Sequence, residues 1–145
     1  MNIEATPMID YTPPFNDMII SNIINGSTIA ASDASIQNKY LGRYWKIVNM
    51  ENEALIEYEV YNKNWILGGK KSREATILLD MVVTINRKSK HIEHGRITIY
   101  NDNKLLVQGI RFPLLKENQY TVEVGAEISE IQRIIKTSPI KIDIV

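Results

Sequence analysis

The two histidines of this chain stand together in His91-Ile92-Glu93-His94, a donor set that could bind zinc. In a strand, residues three apart face opposite sides of the sheet, so one ion reaches both rings only at a sharp turn or on a helix. The order also differs from the helical His-Glu-x-x-His arrangement, which sets a glutamate beside a metal-bound water. The chain has no cysteine to complete a tetrahedral shell, so we expect solvated turn histidines and assign no metal. Gly68-Gly69-Lys70-Lys71-Ser72 has the ingredients of a phosphate loop without its spacing. A Walker loop needs glycine where Asn64 stands and Ser or Thr where Lys71 stands. Glu57 and Glu59 share one strand face and read as a solvated edge. Spacing places no Ser-His-Asp set and no acid–base pair, because such partners meet only through the fold. The expectation is therefore no enzyme and no small-molecule cofactor.

The segment from Lys63 to Arg73 is more suggestive. Lys63, Lys70, Lys71 and Arg73 fall within it with no acid, and Trp65 lies among them. Cations around an exposed aromatic ring suit a stacked RNA base or an anionic lipid headgroup. The competing arrangement puts Trp65 in the core and pairs the cations with Glu57, Glu59 or Glu74. A second surface is the stripe Ile19, Ile20, Ile23 and Ile24 on a short helix. A helix of barely three turns is unstable in water unless its apolar stripe is covered, so self-association into a homo-oligomer is expected there.

The elements that must carry these residues follow from composition and period. The 145-residue chain is sized for one domain, with 44 % apolar and 23 % charged residues and no formal net charge. That balance argues against a dedicated duplex-DNA binder resting on many uncompensated phosphate contacts. Isoleucine is the outlier, 24 residues, and with Val and Thr the β-branched total is 40, which favours sheet. Alternation predicts strands over 54–62, 75–86, 94–100, 104–112, 120–124 and 140–144, with a first strand starting near Trp45. Asn101-Asp102-Asn103 reads as a hairpin turn, and the parity slip across Gly109 as a bulge. If 54–112 is a meander, loops 63–74 and 101–103 share one end of the sheet.

Helical spacing appears three times. Asn16 caps Ile19–Ile24, Asn25-Gly26 closes it, and Asp33–Leu41 reads as a second short helix. Ile128, Ile131, Ile134 and Ile135 mark an amphipathic helix that stops near Ser138-Pro139. Residues 1–15 carry three prolines and read as an extended arm. The expected architecture is one mainly-β domain over 16–145, helical over 16–41 and β-rich over 43–145. It would be an antiparallel β-sandwich or partly open barrel of six to eight strands, with an N-terminal helical arm and one C-terminal amphipathic helix.

The start lacks a basic n-region and an apolar h-region, and no run is long enough to span a bilayer. A soluble, intracellular, non-secreted protein is expected, in host cytoplasm or virion if its source is viral, and the Asn25-Gly26-Ser27 sequon should stay unmodified. The function these features favour is a non-catalytic structural or assembly protein of small virion, matrix or phage accessory type. The alternatives are a module binding RNA or anionic membrane through Lys63–Arg73, and a small-ligand β-barrel or uncharacterised enzyme.

Overall fold

The computed structural model describes residues 14–37, 40–62, 73–112 and 122–145. Helix α1, Asp17–Ile24, begins where the Asn16 side chain accepts the Ile19 amide at 3.0 Å. It ends at Asn25, and Gly26 then turns the chain with φ +73°, a conformation that favours glycine. Burial of Ile19 and Ile23 releases about 1.5–3 kcal/mol each, enough to hold an eight-residue helix that would not form alone.

Strands β1 (Thr28–Gln37), β2 (Tyr40–Val48) and β3 (Ala54–Asn62) follow as an antiparallel meander. The β2–β3 turn is closed by Asn49, whose Oδ1 accepts the amides of Glu51 and Glu53. Helix α2 (Arg73–Lys88) crosses over to β4 (Arg96–Tyr100), and helices α3 (Lys104–Arg111) and α4 (Gly125–Thr137) cross over to β5 (Lys141–Ile144). The sheet order is β3-β2-β1-β4-β5, with β4 parallel to both β1 and β5. Parallel neighbours require such crossovers, and the helices they contain cover a sheet face. Trp45, Ile47, Ile56, Ile97, Ile99, Ile142 and Ile144 share one core with Leu78, Met81, Val82 and Ile85 of α2 and Ile131 and Ile134 of α4.

This mixed five-stranded α/β sheet replaces the expected antiparallel sandwich or barrel of six to eight strands. The largest correction is at 75–86, which is helix. Ile77, Leu79, Met81, Val83 and Ile85 do alternate, but Ala75, Leu78 and Val82 are apolar too, and a run filled on both parities fits either period. Ala75, Leu78, Leu79, Val82 and Ile85 are buried at helical spacing, and Thr76, Ile77, Met81 and Thr84 beside them are buried as well. Residues 104–112 are likewise mainly helix: Asn103 caps it, Leu106 and Ile110 are buried four apart, and Leu105 is exposed. The parity slip at Gly109 is this helical period, and no hairpin forms at 101–103.

The helix expected over Asp33–Leu41 is instead the end of β1 and the start of β2. The strand expected over 120–124 lies partly outside the described residues, and Val122 and Glu123 are helical. Of the expected arm only residues 14 and 15 are described, and Phe15 is buried in the core. Among the described residues no helix is long and apolar enough to cross a membrane.

Candidate metal centre

The parallel pairing of β1 with β4 decides which acids meet. Ala31 stands opposite Tyr100, so Asp33 and Asp102, each two residues further on, come level with each other just past the carboxyl end of β4, with Asp33 still inside β1. The meander brings the end of β3 to that edge as well, so α2 starts there and its second residue is Glu74. One carboxylate oxygen each from Asp33, Glu74 and Asp102 lie within 4.8 Å of one another. The place is the carboxyl end of the parallel strands, where connections leave β1 and β4 in opposite directions; open α/β sheets bind ligands at such switch points.

Each acid is held differently. Asp33, on β1, is exposed and its Oδ1 accepts the amide of Ala34 at 2.9 Å. Glu74 is half-buried in the first turn of α2, where a negative charge is favoured by the helix dipole, and its Oε2 accepts Asn103 Nδ2 at 2.7 Å. Asp102 is exposed in the link between β4 and α3. Asn101 Oδ1 accepts the Asn103 amide at 2.9 Å, and Asn103 Oδ1 accepts the Leu106 amide at 3.1 Å. Three like charges this close repel unless a cation joins them. An all-oxygen carboxylate set with solvent access suits a hard divalent ion such as Mg2+ or Mn2+, which keeps positions for water and for substrate oxygens.

Beneath the site, Arg43 of β2 is fully buried and ion-pairs with Asp80 of α2. Its guanidinium carbon lies 5.3 Å from the Trp45 ring centroid and 5.6 Å from that of Tyr58. This pair anchors the helix that carries Glu74 to the sheet that carries Asp33.

The residues singled out by sequence fall elsewhere, with one exception. Lys63, Trp65, Lys70 and Lys71 lie outside the described residues. Arg73 is half-buried, opens α2 and precedes Glu74 directly. His91 and His94 are exposed in the turn before β4, at the opposite end of the sheet from the carboxylates, and Ile92 between them is buried. Ile19 and Ile23 are covered by the chain's own core, Ile20 packs partly against it, and Ile24 is 39 % exposed. Glu57 and Glu59 are exposed on β3, where Glu57 accepts the Tyr44 hydroxyl at 2.9 Å.

Sequence reading missed all three acids as a site. Local pattern puts Asp33 at a helix start, Asp102 in a hairpin turn, and Glu74 beside the cations as their partner. A signal was present: Asp33 is the single charged residue of β1, TIAASDASIQ, and Asp102 stands two residues past the end of the strand RITIY. Acids at strand ends are where such folds place chemistry.

No protein-family model and no curated protein matches the chain. Solved structures do. LC11-RNase H1, isolated from compost by a metagenomic approach and solved in complex with an RNA/DNA hybrid, superposes with a TM-score of 0.58 at 13 % identity, over 81 % of this chain and 84 % of that one. RNase H1 from the halophilic archaeon Halobacterium salinarum NRC-1 gives 0.53 at 11 % identity, covering 81 % and 84 %. The foamy viral protease-reverse transcriptase, also bound to an RNA/DNA hybrid, gives 0.52 at 12 % identity over 96 % of this chain and 19 % of that one.

The likeness establishes an RNase H-like fold. It overturns the expectation of a non-catalytic structural or assembly protein built on a β-sandwich, and with it the expectation of no enzyme. That expectation rested on an apparent lack of chemistry, and the fold assembles a three-carboxylate cluster that no local motif announces.

Proposed function

We propose that this chain is a divalent-metal-dependent nuclease that hydrolyses phosphodiester bonds of RNA, with RNA paired to DNA as the favoured substrate. The observation that carries the reading is the convergence of Asp33, Glu74 and Asp102 beside the carboxyl end of β4, where it lies along β1. The similar structures solved with RNA/DNA hybrids support the choice of substrate.

In this reading Asp33, Glu74 and Asp102 hold the metal, with Asp33 and Asp102 on the solvent side where a phosphate approaches. A bound divalent ion supplies positive charge for the phosphoryl oxygens and a water more acidic than bulk. Glu74 is kept in place by Asn103 and by its position in the first turn of α2. The cations Lys63, Lys70, Lys71 and Arg73 precede Glu74 in the sequence, and an acid-free basic run there supplies attraction for a polyanion.

The test is cleavage of labelled RNA/DNA hybrid, duplex DNA and single-stranded RNA with Mg2+ or Mn2+. Cleavage of the hybrid is expected, and chelation should abolish it. Asp33→Asn, Glu74→Gln and Asp102→Asn should each lower it by about 100-fold or more, the order of loss when one preorganised electrostatic group is removed from a site. A wild-type protein inert toward all three nucleic acids with both metals refutes the proposal.

A further inference from the structure

Asn103 is fixed at both ends of its side chain. Its Oδ1 accepts the Leu106 amide as the N-cap of α3, and its Nδ2 donates to Glu74 Oε2 across the gap to α2. An amide side chain has one acceptor oxygen and one donor nitrogen, so committing Oδ1 to the helix cap turns the NH2 group toward Glu74. The backbone amide of the same residue is tied to Asn101 Oδ1, which shapes the three-residue link that presents Asp102.

We infer that Asn103 is a positioning residue of the metal centre, holding Glu74 and Asp102 in one arrangement by joining the first turn of α2 to the β4–α3 link. The inference rests on the metal-dependent reading above. Capping alone does not call for asparagine. Serine and aspartate cap helices equally well, but serine is too short to reach Glu74 and aspartate would present an acceptor to a carboxylate. The neutral NH2 suits the place for a second reason. A Lys or Arg there would orient Glu74 equally but would put a fixed positive charge where a divalent ion must bind.

The experiment is titration of the metal-free full chain with Mn2+ by calorimetry, alongside thermal melting without metal. Asn103→Ser keeps the cap and loses the donor. Its metal-free melting temperature should match wild type while its Mn2+ affinity falls roughly 10- to 100-fold, as when a residue supporting a metal ligand is removed. Asn103→Ala loses cap and donor, and should show the same loss of affinity with a lowered melting temperature. In a Glu74→Gln background, Asn103→Ser should change Mn2+ affinity little, because its target oxygen is already altered. Wild-type affinity in Asn103→Ser would mean that Asn103 is only a helix cap, overturning the inference and leaving the metal centre standing. If wild type itself binds no Mn2+, both fall together. Should the serine variant fail to fold, Asn103→Thr, also a capping residue without the reach, decides between the same outcomes.

Discussion

Acidic residues in this chain meet opposite fates according to their surroundings. Asp33 and Asp102 are exposed and gathered, whereas Glu127, in the first turn of α4, is 1 % exposed among the isoleucines of that helix. Burial pushes the Glu127 carboxyl above the usual carboxylate range, and its backbone amide at the helix start only partly offsets this. The folded chain therefore holds this proton at pH values where the unfolded chain has released it. Stability from this group is complete below the ordinary carboxylate pKa and is lost as pH rises through the raised value. Glu127→Gln should raise the melting temperature at neutral pH and leave it nearly unchanged at pH about 3.5, where glutamate is protonated in both states. Equal stabilisation at both pH values would show that the buried charge is not the cause.

The decisive element is α2, which the core holds by its apolar face and the Arg43–Asp80 pair holds by charge. Removing one member of a buried pair costs about 3–5 kcal/mol, because the other charge stays desolvated without its counterion. Asp80→Ala should destabilise the fold by that amount in urea unfolding, whereas Arg43→Met with Asp80→Leu should cost much less than Asp80→Ala alone. If the single and double variants lose equal stability, packing and not charge is what Asp80 supplies. Helix α3 has a second attachment to α4: Gln132 Nε2 donates to the carbonyls of Gly109 at 3.3 Å and Ile110 at 3.2 Å. These ties brace the helix whose N-terminus carries Asn103.

At the scale of the whole molecule, the formal charge of zero hides an uneven distribution. Three carboxylates crowd one end of the sheet, and the acid-free run Lys63–Arg73 leads into it by sequence. Crowded like charges destabilise the metal-free fold, and a ligand that binds only the folded state restores stability in proportion to its occupancy. Asp102→Asn should thus melt higher than wild type without metal and gain less from added Mn2+. At a metal concentration ten times its dissociation constant, wild type should gain about 1.4 kcal/mol. A wild-type melting temperature indifferent to millimolar Mn2+ would contradict this linkage.

Local pattern determined the elements whose period was unambiguous. Helix α1 with its Asn16 cap, α4 with its isoleucine stripe, and strands β3, β4 and β5 could be read because each alternates or repeats on one face only. It failed at 75–86, where apolar residues fill both parities and a continuous run carries two periods at once. Grouping loops 63–74 and 101–103 at one end did place Glu74 near Asp102, although a helical crossover, not a meander of strands, brings them there. The site itself belonged to the tertiary structure. Asp33, Glu74 and Asp102 are distant in sequence and share no motif; the parallel register of β1 on β4 and the crossover through α2 bring their oxygens within 4.8 Å. Periodicity reports which face of an element is buried. Which strand lies beside which is set by the packing of those faces, and that pairing, with the crossover through α2, gathered three scattered acids into one carboxylate cluster.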